Sequence, residues 1–408
     1  MKILFVHQNF PGQFLHLAPA LAARGHQVLA MTDEKNTRGA SVKVARYRSP
    51  QPEDEFTRGR IGRSYFGMAE RGLTVMRGAR ALRDRHGYVP DVVFGHPGWG
   101  ETLFLRGIWP EARHLAYAEF FYSPTGLDVE FDPEFSPPNP DRPAIVLARQ
   151  AHLAHAMAQA DAGLAPTRFQ ASTFPPCFRT MLSVIHDGVD TARVAPNPEA
   201  TLTLPNGRVL RAGDEVLSFV NRNIEPYRGA HIFLRALPEV LAARPEAQVV
   251  ILGGDEVSYG APAPGGAGWR AHLLAELEGR LDLSRVHFLG RVPYPQFLSL
   301  MQVTRVHAYL TYPFVLSWSL MEAMAAGAHV VGSRTAPVEE VVEDGVTGTL
   351  VDFFDVPGWS AALIHALAEP AAHDPLRLAA RARIVERYDL ATVCLPMLIA
   401  FVEGTAEG

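Results

Sequence analysis

The stretch from Val303 to Phe353, VTRVHAYLTYPFVLSWSLMEAMAAGAHVVGSRTAPVEEVVEDGVTGTLVDF, decides the fold. An apolar run, Val306 to Leu310, reads as a buried strand and meets a loop ending in Ser317-Trp318-Ser319. A helix from Leu320 to Ala326 follows and is stopped by Gly327; a second short strand, Val330-Val331-Gly332-Ser333, comes next. That order puts the unpaired N–H groups of a helix N-terminus beside the carboxyl end of a strand, where an anion is well held. One carboxylate, Glu322, sits a turn into the helix. N–H groups for phosphate and an acceptor for ribose hydroxyls are what a nucleoside diphosphate requires.

Working outward, strand-like runs alternate with Ala/Leu-rich helical stretches along the whole chain, the pattern of α/β architecture with parallel sheets. In the first half the strands are Lys2 to Val6, Gln27 to Met31, Asp91 to Phe94, His114 to Ala118 and Asp161 to Ala165. A helix is expected from Ala144 to Ala160, after a Pro-rich acidic loop from Phe131 to Pro143. A polar, Pro-containing connection between Ile185 and Pro205 marks a boundary. A second rhythm then starts: strand Glu215 to Val220, helix Gly229 to Ala243, strands Gln248 to Leu252 and Val286 to Leu289. We therefore expect two doubly wound, Rossmann-like domains, 1–200 and 201–385, with 386–408 as a closing segment. The Gly/Pro/Ala loop from Gly260 to Gly268 reads as mobile.

Four further segments carry candidate chemistry. Asn221-Arg222-Asn223-Ile224-Glu225-Pro226-Tyr227-Arg228-Gly229 sets two guanidinium groups across a strand–loop–helix turn, a spacing suited to a diphosphate or simply two side chains on a solvated loop. Gly253-Gly254-Asp255 ends a strand, where glycine admits close approach of a ligand or simply makes a turn. Gly290-Arg291-Val292-Pro293 ends another and suits an apolar slot for a base, or is an ordinary strand end with Pro starting a helix. In the first half, His7, His96 and Glu119 all stand at strand ends, where open α/β sheets bind ligands.

The Glu322-Ala323-Met324-Ala325-Ala326-Gly327 run resembles the donor-binding half of family 4 glycosyltransferases of the GT-B fold. The resemblance is strong from about 215 to 352 and looser from 1 to 190. It implies two Rossmann-like domains facing a cleft, an N-terminal acceptor-side domain and a C-terminal donor domain, with the last helix returning to pack on the first domain. It implies transfer of a sugar from a nucleotide diphosphate to an acceptor hydroxyl, with retention of configuration and no metal. Donor contacts then fall on Gly12, Asn221, Arg222, Arg228, Gly253, Gly254, Arg291, Val292, Ser317, Trp318, Ser319 and Glu322. His96, Arg222 and Arg228 take the catalytic roles, and His7, Glu119 and Tyr122 the acceptor side. The family's acidic residue, separated by seven residues from the helix glutamate, should fall at 314, where this chain has Phe314. An aromatic ring cannot accept hydroxyl hydrogen bonds, so another group, the backbone at 317–319, or a donor with other hydroxyls must answer for it.

Composition narrows the partners. Hydrophobic residues make up 48% and charged residues 20% of the 408, as in ordinary globular proteins, and the net charge of -5 argues against general nucleic-acid binding. Cys177 and Cys394 form no metal-ligand cluster, and no Asp-x-Asp occurs to hold a divalent cation, so no metal and no cofactor beyond the donor is expected. UDP or GDP is the expected nucleotide, and a sugar, lipid-linked or small-molecule acceptor the expected partner. The opening MKILFVHQNF lacks a signal peptide's long apolar region, which points to the cytoplasm. The Arg-rich segment 57–86 suits peripheral contact with anionic lipid at the inner membrane face, or solvated helices over a buried apolar stripe. Rival readings are a non-catalytic nucleotide-sugar-binding subunit of the same fold, or a nucleotide-sugar epimerase or phosphorylase on it.

Overall fold

The computed structural model describes residues 1–49 and 60–405, so Thr57 and Arg58 of the Arg-rich segment lie outside the described residues. Within them the chain forms two compact units, one of residues 1–129, 138–188 and 391–408, the other of 130–137 and 189–390.

The first unit is built on seven parallel strands: β1 (Lys2–Val6), β2 (Gln27–Asp33), β3 (Lys43–Tyr47), β4 (Val92–Gly95), β5 (Arg113–Tyr117), β6 (Ala162–Ala165) and β7 (Leu182–Val184). Their order is β3-β2-β1-β4-β5-β6-β7. The direction of winding reverses between β1 and β4, which are register neighbours from Ile3↔Val92 to Val6↔Gly95. Ile3, Leu4, Phe5 and Val6 are all buried, as a strand covered on both faces requires. Helices α1 (Leu17–Ala23), α2 (Arg60–His86), α3 (Arg142–Gln159), α4 (Arg168–Thr173) and α5 (Pro176–Arg179) connect them. On α2, Val75 and Ala79 are buried in a core cluster with Leu4, Val6 and Met31. That part of its apolar stripe is occupied by the protein's own core, while Arg77, Arg80 and Arg85 are exposed.

The second unit begins with the antiparallel pair β8 (Thr201–Thr203) and β9 (Val209–Arg211). Six parallel strands follow: β10 (Val216–Asn223), β11 (Gln248–Gly254), β12 (Val286–Gly290), β13 (Val306–Tyr309), β14 (His329–Ser333) and β15 (Thr349–Val351). Their order is β12-β11-β10-β13-β14-β15, so the winding reverses between β10 and β13. Helices α6 (Ala230–Ala243), α7 (Trp269–Glu276), α8 (Tyr294–Val303), α9 (Trp318–Ala325), α10 (Ala336–Glu339), α11 (Val356–Ala368) and α12 (Asp374–Tyr388) complete it. Strand β10 runs three residues further than its apolar pattern, because the register with β11 shifts between Val220 and Asn223. Asn221 and Arg222 therefore sit in a strand irregularity rather than in a loop.

Three other expectations change. The boundary drawn at 200 falls at 188, because Val189, Val194 and Ala200 are buried in the second unit's core. Residues 130–137 of the Pro-rich loop belong to the second unit: Phe131 packs on Tyr312 and Phe353, and Phe135 on His231 and Trp269. The loop expected to be mobile is tied down. Glu225 Oε2 accepts the N–H groups of Ser258, Tyr259 and Gly260, and Trp269 Nε1–H donates to Ala261 O at 2.9 Å.

The chain ends in α13 (Leu395–Glu403), which belongs to the first unit. Its Leu398, Phe401 and Val402 are buried in a core cluster with Ile3, Phe5 and Phe94. Arg24 and His26 both reach Glu403 at 2.9 Å. Among the described residues, no helix is long and apolar enough to cross a membrane.

Candidate functional site

Each unit carries polar residues at the carboxyl ends of strands flanking its winding reversal, where doubly wound sheets bind ligands. In the first unit these residues form a chain. The Asn9 N–H donates to His7 Nδ1 at 2.9 Å, which leaves the proton on Nε2, and that donates to Gln13 Oε1 at 2.8 Å. Gln13 Nε2–H donates to Glu119 Oε1 at 3.0 Å. The other carboxylate oxygen, Oε2, lies 3.3 Å from His96 Nε2, out of line for a hydrogen bond. His96 Nδ1 in turn accepts the Gly98 N–H at 3.0 Å. Both imidazoles are thus held in the Nε2–H tautomer by a backbone group two residues on.

Electrostatics assign these groups different states. Burial, with His96 nearby, pushes His7 down to about 3, so it is neutral. Burial alone would raise Glu119, but His96 and Gln13 outweigh it and hold the carboxyl below its usual range. Trp99 covers both rings, at 4.4 Å from His96 and 5.1 Å from His7. Gly12 closes the loop with φ of 49°; a Cβ there would stand 2.7 Å from the His7 ring. Tyr122 is further along the loop, with Arg149 4.8 Å over its ring. Gln13, the hub of the chain, was not singled out from sequence; its place in the short turn Gly12–Phe14 before α1 carries no signal of its own.

In the second unit Val220, Asn221, Arg222, Gly253, Gly290, Arg291, Val292, Tyr294 and Phe297 line a cavity of about 290 Å³. Arg222 is exposed on its wall. Arg291, also in its lining, hydrogen-bonds Asn223 Oδ1 at 3.1 Å and pairs with Glu256. Gly253 has a φ of 153°, and a Cβ there would stand 3.2 Å from Asn221 O. A Cβ on Gly254 would stand 2.5 Å from Asn223 Oδ1, so at this glycine the chain's own groups already fill the space.

Arg228 does not line that cavity. It is 5% exposed, and its Nη1 donates to Thr311 Oγ1 at 2.7 Å and Val315 O at 2.8 Å. Burial opposes its charge, but the surrounding tyrosines outweigh this and keep it above its ordinary value. Tyr259 and Phe314 lie over the guanidinium at 5.1 and 5.6 Å. Phe314 is itself 5% exposed and stands edge-on to Tyr227 at 5.1 Å. The ring in the place of an acidic group therefore packs against the buried cation.

The helix N-terminus is less open than expected. The Ser317 N–H donates to the Tyr309 hydroxyl at 2.7 Å, and the Ser319 N–H to Ser317 Oγ at 3.4 Å. Two of the three N–H groups assigned to a phosphate are thus engaged within the protein. Trp318 is exposed. Glu322, one turn on, is half-buried and accepts the Tyr294 hydroxyl at 2.7 Å. Burial pushes it up to about 7, against the pull of Tyr294 and Arg193. Tyr294 links Glu322 to the cavity; as an aromatic at the start of a helix it was indistinguishable in sequence from a core residue.

Among the described residues, Asp132, Glu134 and His231 are close enough to share a metal ion. Their carboxylates are already engaged: Tyr312 donates to Asp132 Oδ2 at 2.7 Å, and Arg235 grips both oxygens of Glu134 at 2.7 and 2.8 Å. A cation there would stand against a guanidinium.

Two family models match the chain, Glycosyl transferase family 4 group over residues 24–194 and Glycosyl transferases group 1 over 214–369. Similar curated proteins include a D-inositol 3-phosphate glycosyltransferase of Mycobacterium avium, 31% identical over 191 residues, covering 47% of this chain and 42% of the relative. Another, of Mycolicibacterium vanbaalenii, is 32% identical over 192 residues, covering 46% and 40%. The matched part is thus less than half the length of these relatives. Among solved structures, a sucrose-phosphate synthase from Thermosynechococcus elongatus superposes with a TM-score of 0.72 at 16% identity, covering 99% of this chain and 98% of that one. HepE from Anabaena, solved with UDP and glucose, gives 0.65 at 16%, covering 99% of both.

Proposed function

The chain belongs to the family 4 glycosyltransferases of the GT-B fold, and from that premise we propose that it moves a sugar from a nucleotide diphosphate to an acceptor hydroxyl. The second unit holds the donor and the first carries the acceptor-side residues. The observation that carries this reading is the cavity of about 290 Å³ beside Arg222, with Glu322 reached through Tyr294. A base fits against Val292 and Phe297, Arg222 answers the diphosphate, and Glu322 answers the ribose diol. UDP and GDP are the nucleotides to try first.

Loss of the diphosphate is assisted by cationic charge in place, Arg222 directly and Arg228 from behind Phe314. Retention without metal follows the family resemblance, and so does a catalytic role for His96. Support for His96 in that role is its fixed tautomer, with an Nε2–H near Glu119. The test is turnover of UDP- and GDP-sugars with and without Mg²⁺, with the product anomer read by NMR. Transfer that needs Mg²⁺, or inversion of the anomer, contradicts the reading.

The burial of Phe314 over Arg228 favours a second reading, a nucleotide-sugar-binding protein without catalysis. Tight donor binding with neither transfer nor hydrolysis would establish it.

A further inference from the structure

We infer that Tyr294 is a positioning residue of the nucleotide pocket, its hydroxyl holding the Glu322 carboxylate as acceptor for the ribose hydroxyls of a nucleotide sugar. The inference rests on the donor reading above. Three observations carry it. Tyr294 both lines the cavity and donates to Glu322 Oε1 at 2.7 Å, so it joins the open space to the carboxylate. Its ring is packed, with the Arg193 guanidinium 4.6 Å from its centroid and the Phe297 ring at 5.6 Å. It is 40% exposed, so it forms part of the accessible wall and is not buried behind it.

The hydroxyl occupies one carboxylate oxygen and leaves Oε2 for a ligand. A ribose diol is bound best by an ionised carboxylate, which only accepts. Glu322 is half-buried, a condition that favours its protonated form. The Tyr294 hydrogen bond and the charge of Arg193 oppose that protonation. Asp190 lies one step out, its Oδ1 accepting the Arg193 N–H at 3.1 Å. From the packed α12, Arg377 and Arg381 donate to Gly327 O and Ala325 O at the C-terminal end of α9. Tyr294 is thus a neutral donor that supports the negative charge on Glu322 at the place where the ligand needs it.

The test is titration calorimetry of UDP-glucose and GDP-mannose, whose diphosphates bear no titrating proton between about pH 6 and about pH 9. Wild type, Tyr294→Phe, Glu322→Gln and the double variant are compared. For the wild type, affinity falls as pH drops through about 7. Tyr294→Phe keeps the ring and its packing, so the fold is retained. It binds about tenfold more weakly near neutral pH and recovers most of that loss at high pH. Glu322→Gln is flat with pH, and adding Tyr294→Phe to it costs nothing further. A Tyr294→Phe profile that coincides with wild type, or a loss that is equal at every pH or additive with Glu322→Gln, overturns the assignment. Wild type that binds no nucleotide or nucleotide sugar overturns the donor reading beneath it instead.

Discussion

Glu322 shows how a carboxyl taken out of water sets a stability cost. Its carboxyl is raised from 4.5 to about 7 by burial. Between those values the folded state binds more protons than the unfolded one, so stability falls as pH rises through that window. Glu322→Gln removes the cost: the melting temperature should rise by a few degrees above about pH 7 and stay unchanged near pH 4. Nucleotide binding should weaken in the same variant. A melting curve unaltered at pH 8 would remove burial as the cause. Phe314 tests packing. Replacing it by Ala exposes Arg228 and leaves a cavity, for a loss of about 3–5 kcal/mol by chemical denaturation; a loss near zero would mean that its contacts with Arg228, Tyr227 and Tyr259 are slack. At this scale the sequence shows the order of Arg222, Arg228 and Glu322 but not their surroundings. That Arg228 is buried was not legible, because Tyr259 and Thr311, which enclose it, are distant in the chain.

Elements were legible where the apolar pattern is long. The helices at 142–159, 230–243 and 318–325 and the strands β1, β2, β4, β5, β6 and β10 to β14 lie within a few residues of their expected bounds, whereas β3, β7 and β15 were not read from the sequence. What the pattern hid is how backbone groups are used between elements. Three amides of the 258–260 segment converge on one oxygen of the buried Glu225, and that contact decides the path of a loop whose composition reads as mobile. Glu225→Ala should release it, with hydrogen exchange at Ser258, Tyr259 and Gly260 faster by about tenfold or more. Unchanged protection there would show that other contacts hold the loop. The polar chain from His7 to His96 is likewise a property of strand ends brought together. Gln13→Ala breaks its middle link, and the Glu119 carboxyl, no longer accepting from Gln13, should titrate at higher pH by NMR. An unmoved Glu119 would mean that His96 alone sets it.

At the scale of the molecule, two doubly wound units were expected from the alternation of strands and helices, and the family assignment and structural neighbours agree with that architecture. The course of the chain between the units was not legible. Residues 130–137 join the second unit through Phe131 and Phe135, and a Pro-rich acidic loop gives no sign of such a partner. The final helix joins the first unit's core, where Phe401 lies 5.8 Å from Phe94. Phe401→Ala should therefore destabilise that unit by about 3–5 kcal/mol.

The central claim is that the second unit holds a nucleotide diphosphate beside Arg222. Its most direct test is titration calorimetry of UDP and GDP against wild type and Arg222→Ala. We predict saturable 1:1 binding of one of the two nucleotides by the wild type, weakened about tenfold or more in the variant. Equal affinity in both proteins, or no binding of either nucleotide to the wild type, would contradict it.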